Sequence, residues 1–317
     1  MGRNIKVACM TYHNKPADVA KGLKGCIDIW ALLIDRAALD RPDIILLPES
    51  FAFAGLKYSL PDIAEPLPGD GGPITRLLAE KAARHNVYIY AGYYRKNGAH
   101  VYNSAVLFDR SGAVAGFYDK VFPTIGELEQ GISPGKEAVV IETELGRLGA
   151  AVCFDFNFSE LFLEYQRKRA DLICFLSEYA AGLQLPIRAF QHHYHIASAT
   201  PSIPCMIVNP LGRVLASSDS SRHSYIIQAA INLDCRVLHM DYNNEHVWDI
   251  KQKYGPKVML EEACPEAAYL LTACDPDLSA DEVIREFGLE LFDDYLERAR
   301  AERVKRLPED EKDRGTS

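Results

Sequence analysis

The sequence predicts an α/β fold in which helices pack outside two stacked sheets of mixed strand direction. Three observations carry that reading. Short runs of β-branched and aromatic residues alternate with amphipathic stretches over most of the 317 residues. Turn signals at Ser111-Gly112, Gly146-Arg147 and Leu211-Gly212 lie between strand-like runs, so neighbouring strands are joined by hairpins and an all-parallel sheet is excluded. The hydrophobic content, 48%, is enough to fill a large core.

Taken in order, period-two alternation and short apolar runs predict strands over 6–11, 44–47, 87–94, 102–108, 114–118, 138–142, 148–152, 172–176, 203–209 and 224–232. Helical periodicity predicts helices over 17–40, 72–85, 159–169 and 186–199. The C-terminal part reads differently. Ser279-Ala280-Asp281-Glu282 has the form of a capping box, and Val283, Ile284, Phe287, Leu291, Phe292 and Tyr295 form an apolar stripe behind it. From Glu309 the chain is too polar to bury a core, and a disordered tail is expected there. The expected division is a main domain over 1–240, an extension over 241–306 packing on that domain or on a partner subunit, and a tail over 307–317.

Composition removes several function classes. With 35 basic against 44 acidic residues the net charge is −9, and no basic stripe reverses it, so neither nucleic acid nor an anionic membrane surface is an expected partner. The first residues alternate like a strand and lack a signal-peptide core, and no window is long enough to span a bilayer. The eight cysteines have no short paired spacing. They read as reduced thiols of a cytoplasmic protein.

Three residues with chemical potential stand where apolar strand runs stop. Ile44-Ile45-Leu46-Leu47-Pro48 delivers Glu49, Gly116-Phe117-Tyr118-Asp119 delivers Lys120, and Leu148-Gly149-Ala150-Ala151-Val152 delivers Cys153. Sites in sheet-centred folds gather at the carboxyl ends of strands, so the three can converge on one pocket. Singly each has a bland reading: a strand-end cysteine is usually a small buried hydrophobe, and a lone Glu or Lys a solvated charge. Their joint order is what raises them above it.

In that order the residues resemble the nitrilase superfamily of carbon–nitrogen hydrolases, whose members share a Glu-Lys-Cys triad and a second Glu between Lys and Cys. The matching stretches are Leu47-Pro48-Glu49, Tyr118-Asp119-Lys120, Gly126-Glu127-Leu128-Glu129-Gln130-Gly131 before Pro134-Gly135, and Cys153-Phe154-Asp155-Phe156-Asn157-Phe158-Ser159-Glu160-Leu161. Tyr102-Asn103-Ser104-Ala105 and Arg188-Ala189 also match. The likeness runs from Ile5 to about His239, which makes 1–240 the carbon–nitrogen hydrolase domain. It implies a four-layer αββα sandwich, a homodimer or higher homo-oligomer, and no metal or organic cofactor. The second Glu is Glu127, with Glu129 as the alternative. Phe154, Asn157 and Tyr179 are the candidate substrate-binding residues.

Elementary chemistry gives the triad its roles. A thiol titrating near about 8.5 is mostly protonated at neutral pH, so Cys153 needs a base, which Glu49 supplies. Attack on a carbonyl puts charge on oxygen, and Lys120 with a backbone N–H after Cys153 stabilises it. Glu127 orients the substrate nitrogen or holds the Glu49–Lys120 pair. Nitrile-cleaving members carry Trp-Glu after the cysteine, whereas this chain has Phe154-Asp155. Many dicarboxylate-monoamide amidases have Arg where Asn157 stands, so no guanidinium fork is available there. The expected activity is hydrolysis of a small, neutral amide. The alternatives are a nitrilase or N-carbamoyl amidohydrolase, and, from another class, a catalytically silent scaffold or binding protein. His192, His193 and His195 lack the partners of a metal site, and a papain-like Cys–His pairing leaves Glu49 and Lys120 without a task.

Overall fold

Period-two alternation in the first strand fixes which side of it faces which layer. The computed structural model describes residues 4–218 and 225–308. Residues Asn4–Leu233 form one compact unit and the chain from Asp234 another.

In the first unit the elements run β1 (Asn4–Met10), α1 (Pro16–Val19), α2 (Gly22–Ala38), β2 (Ile44–Leu47), α3 (Leu60–Ile63), β3 (Glu65–Pro66), α4 (Pro73–His85), β4 (Tyr88–Asn97), β5 (His100–Phe108) and β6 (Val114–Asp119). They continue as α5 (Ile125–Glu129), β7 (Val140–Glu142), β8 (Arg147–Val152), α6 (Ser159–Arg167), β9 (Leu172–Leu176), α7 (Gln184–His192), β10 (His195–Ala199), β11 (Met206–Val208), β12 (Val214–Ser217) and β13 (Ile226–Asn232). One sheet has the order β13-β1-β2-β4-β5-β6, with β3 paired to β4, and the other the order β12-β11-β10-β9-β8-β7. Both are parallel at the centre, through β1-β2-β4 and β8-β9-β10, and antiparallel at the hairpin edges.

On β1 and β2, Val7, Cys9, Ile44 and Leu46 share a core with Leu148, Ala150 and Cys174 of the facing sheet. Their neighbours Ala8, Met10, Ile45 and Leu47 point the other way, onto Trp30, Leu33 and Ile34 of α2 and Leu78 and Ala82 of α4. Beyond the second sheet, Phe162 and Tyr165 of α6 and Leu185 and Ala189 of α7 are buried in the same core. Phe156 anchors α6 to β9, its ring 4.6 Å from Phe162 and 4.2 Å from Phe175. Each such fully buried side chain stabilises by about 1.5–3 kcal/mol. The layers are helix, sheet, sheet, helix, as the sequence predicts.

Four expected elements differ. The helix over 17–40 is broken at Ala20-Lys21, where Gly22 takes φ +67°, into α1 and α2. The helix over 186–199 ends at His192, because His193 adopts a left-handed φ of +57°, and the residues after it form β10 between β9 and β11. His195-Ile196-Ala197-Ser198-Ala199 is buried on both faces, so it carries no alternation to distinguish strand from helix. The strand over 203–209 begins only at Met206, since Pro204 has no N–H to donate to a ladder. The strand over 224–232 begins at Ile226, Ser224 lying outside the described residues. The tail from Glu309 likewise lies outside them.

The second unit holds a three-stranded antiparallel sheet that the sequence reading does not anticipate: β14 (Cys235–His239), α8 (Val247–Tyr254), β15 (Val258–Ala263), β16 (Ala268–Ala273), α9 (Ala280–Phe287) and α10 (Phe292–Arg306), with sheet order β14-β16-β15. The capping box is present. Ser279 Oγ accepts from the Glu282 N–H at 3.2 Å, and Glu282 Oε2 accepts from the Ser279 N–H at 2.7 Å. The apolar stripe is not one helix, because Gly288 at φ +63° ends α9. Ala280, Val283 and Leu289 pack with Leu238, Tyr269 and Leu271.

Candidate active site

The aliphatic run of β2 is fully buried, and the chain leaves it through Pro48. Glu49 follows, itself buried, with Ser50 at φ +50° turning the chain away. Gly92 on β4 lies directly under this turn. A Cβ there would stand 2.7 Å from Glu49 Cα and 3.0 Å from the Pro48 carbonyl oxygen, so only a glycine admits the backbone of Glu49 at this depth.

Lys120 leaves β6 with 1% of its side chain exposed. Its ammonium donates to Glu49 Oε1 at 3.1 Å and to Glu127 Oε1 and Oε2 at 3.0 and 2.8 Å. Asn103 on β5 completes the cluster, its Nδ2 donating to Glu49 Oε1 at 2.6 Å and Glu127 Oε1 at 2.8 Å. Thr124 caps α5 and donates its N–H to Glu127 Oε2 at 2.7 Å, which fixes that carboxylate. Burial works against the Lys120 charge, but Glu49, Cys153 and Glu127 outweigh it and hold the ammonium above its ordinary range. Burial likewise works against the Glu127 charge, and there Lys120 and Asn103 hold the carboxyl below its ordinary range. Glu129, two residues on, is exposed.

Cys153 follows the last residue of β8, takes φ +48° and opens a turn of 3-10 helix, Cys153–Asn157. That strained conformation is held by the fully buried Asp155. Its Oδ2 accepts from the Val152 N–H and the Tyr118 hydroxyl, each at 2.8 Å, and its Oδ1 from the Phe122 N–H at 2.8 Å. Burial still pushes the Asp155 carboxyl up to about 7. The Cys153 thiol is pushed up to about 12, by burial and then by the charge of Glu49, with Lys120 opposing.

One cavity of about 410 Å³ collects these groups. Glu49, Lys120, Glu127 and Cys153 line it together with Glu178, His13 and an aromatic wall of Phe53, Tyr58 and Tyr94. Two strands of one sheet, β2 and β6, deliver Glu49 and Lys120, and two of the other, β8 and β9, deliver Cys153 and Glu178.

The family model described as carbon–nitrogen hydrolase matches residues 6–236. The chain belongs to the carbon–nitrogen hydrolase family. Among curated relatives, it is similar to omega-amidase NIT2 of Bos taurus, 29% identical over 229 residues that cover 63% of this chain and 80% of that protein. Among solved structures, it resembles Nit3 of Saccharomyces cerevisiae, a member of branch 10 of the nitrilase superfamily, with 19% identity, TM-score 0.62, and 80% of this chain and 95% of that one covered. It also resembles an amidase from Nesterenkonia sp., with 18% identity, TM-score 0.61, and 79% and 96% covered. Both structures share its fold.

In this carbon–nitrogen hydrolase, Phe154, Asn157 and Tyr179 do not line the cavity. Phe154 packs edge-on against Phe158, whose ring stacks 3.8 Å from Phe122. Asn157 is exposed and donates to the Phe154 carbonyl at 3.1 Å, and Tyr179 OH donates to Gln184 Oε1 at 3.3 Å. Sequence reasoning missed Gly92, Asn103 as a bridge, Asp155 as a brace, and Glu178. Asn103 and Asp155 stood inside matched stretches but without a task, and nothing local marks Gly92 or Glu178. His192 ends α7, with Nδ1 2.8 Å from Gln166 Oε1, His193 turns the chain, and His195 opens β10. Among the described residues, no three His, Cys, Asp or Glu side chains gather as metal ligands, and no helix is long and apolar enough to cross a membrane.

Proposed function

We propose that this carbon–nitrogen hydrolase cleaves the C–N bond of a small amide through a thioester on Cys153, releasing ammonia or an amine. The observation that carries the reading is that Glu49, Lys120, Glu127 and Cys153 line one cavity, with Lys120 bonded to both carboxylates. The amidase relatives favour an amide over a nitrile or carbamoyl substrate.

The thiol is protonated at rest, so the attack needs a base. Glu49 takes the proton as sulfur bonds to the amide carbon. Charge then builds on the carbonyl oxygen, where the Lys120 ammonium and the N–H after Cys153 receive it. Glu49 passes its proton to the departing nitrogen, the C–N bond breaks, and a thioester remains. Water, losing a proton to Glu49, attacks that thioester. The C–S bond breaks, the acid leaves, and the thiol recovers its proton from Glu49. Glu127 and Asn103 move no proton in this sequence; they hold Glu49 and Lys120 in register.

Eight free cysteines, most of them buried, favour a reducing cytoplasm. The exposed Leu183 and Ile187 beside and on α7 favour a homo-oligomer, which light scattering tests. The reaction itself is tested by ammonia release from a panel of amides, nitriles and carbamoyl amino acids, with mass spectrometry of the quenched enzyme. An acyl adduct on Cys153 and its loss in Cys153→Ala are expected. Turnover by Cys153→Ala above about a tenth of wild type would exclude the nucleophile.

A further inference from the structure

The residues lining the cavity carry a lopsided charge. Glu49, Glu127 and Glu178 are acidic, Lys120 is the one lysine among them, and no arginine joins them. The Lys120 ammonium pairs with Glu49 and Glu127 and, in the proposed reaction, serves the carbonyl oxygen at Cys153, so a carboxylate elsewhere on the substrate would meet no cation of its own. Glu178 stands apart. Its backbone N–H donates to Glu49 Oε2 at 3.3 Å, and its carbonyl accepts from Ser202 Oγ at 2.5 Å. Among the described residues no hydrogen-bond donor or cation is paired with its carboxylate, although the residue is half-buried. Burial, and then the charge of Glu49, push that carboxyl up to about 7. A half-buried acid without a partner is unfavourable until a cation or a proton reaches it.

The remaining wall suits a cation as well. Phe53, Tyr58 and Tyr94 line the same cavity, with ring centroids 5.5 to 6.3 Å apart. Aromatic faces attract ammonium and guanidinium groups and give nothing comparable to a carboxylate.

We propose that Glu178 is a specificity-determining residue, and that the preferred substrate is an amide bearing a positively charged ammonium or guanidinium group. The charged end pairs with the Glu178 carboxylate against the aromatic wall while the amide carbon lies at Cys153. Amides bearing a carboxylate are repelled. This rests on the amide reading above and departs from the neutral amide expected from the sequence.

Two measurements on the full-length enzyme separate the charge reading from the amide reading. The first compares kcat/KM for butyramide, 4-aminobutyramide and succinamate. Wild type should prefer the cationic amide to the neutral one by at least about tenfold and turn over the anionic one least. In Glu178→Gln the ratio of cationic to neutral kcat/KM should fall by about tenfold. The second needs no turnover. Alkylation of Cys153 by 2-bromoethylamine, iodoacetamide and iodoacetate, each normalised to its rate with glutathione and read by mass spectrometry, should fall in that order in wild type. The order should flatten in Glu178→Gln. An order that holds while no amide is cleaved would sink the amide reading and keep the charged selector. Cleavage without charge preference, iodoacetate reacting as fast as iodoacetamide, or an order unchanged in Glu178→Gln would overturn the proposal.

Discussion

Asn103 Nδ2 lies 2.6 Å from Glu49 Oε1, closer than the Lys120 ammonium at 3.1 Å from the same oxygen. One oxygen of Glu49 is thus held by two donors, whereas Oε2 accepts from the Glu178 backbone N–H at 3.3 Å and is the oxygen that takes the proton in the proposed reaction. Removing the amide should loosen the base without removing it. Asn103→Ala is expected to lower kcat by about 10- to 100-fold with an unchanged circular dichroism spectrum. Asn103→Asp should be worse, because it sets a third carboxylate against Glu49 and Glu127. A fully active Asn103→Ala enzyme would reduce the bridge to a packing detail.

Glu49 and Cys153 were legible as strand-end residues because each follows a buried apolar strand, whereas Lys120, preceded by Asp119 at the end of the part-exposed β6, was marked only by its order between them. The central strands were legible for the same reason: 44–47 and 172–176 are bounded by polar residues or proline and match the observed β2 and β9. What escaped depends on packing between segments distant in sequence. Gly92 looks like any strand glycine until the Glu49 backbone is laid across it. β10 reads as helix because a strand buried on both faces shows no period. The sheet of the second unit was missed because β15 contains Glu261-Glu262, two charges that mask a short strand.

The close approach at Gly92 predicts a loss of activity from the addition of one methyl group. In Gly92→Ala the new Cβ must displace the backbone at Glu49, against which it would stand at 2.7 Å. Overpacking of this kind costs about 1–3 kcal/mol, and misplacing the base should cut kcat at least about tenfold. Thermal melting and steady-state kinetics check the two parts separately. Wild-type values in both would mean that the strands can separate at no cost.

The raised thiol sets the sign of a pH experiment. With Cys153 pushed up to about 12, the protonated form prevails across the neutral range and thiolate appears only at strongly alkaline pH. The ultraviolet thiolate difference between wild type and Cys153→Ala should therefore show no titration between about pH 6 and 9. Glu49 raises this pKa and Lys120 lowers it. Glu49→Gln should thus increase the thiolate fraction while lowering turnover at least about a hundredfold, since the base is gone. Lys120→Ala should decrease the fraction and cost a similar factor. A thiolate titrating near neutrality in wild type would replace general-base attack with a preformed ion pair.

The helices α9 and α10 cover their own small sheet, and this sets what a shortened chain should do. Ending it after Asp275 removes Ala280, Val283 and Leu289, which pack on Leu238, Tyr269 and Leu271, and deprives Asp234 Oδ1 of the Ala280 N–H at 3.1 Å. Losing several buried apolar side chains at about 1.5–3 kcal/mol each leaves three short strands without a covering layer, below what a sheet of that size holds alone. Limited proteolysis should then cut rapidly within 234–275, whereas the full-length chain resists there. The unit Asn4–Leu233 has cores of its own, built without any residue from 234 onward. Cys153 in the shortened protein should accordingly remain alkylated by iodoacetamide at close to the full-length rate. A protease-resistant 234–275 segment would mean that α9 and α10 contribute little to that sheet, and a loss of Cys153 reactivity in a still-folded first unit would mean that the site depends on the removed helices.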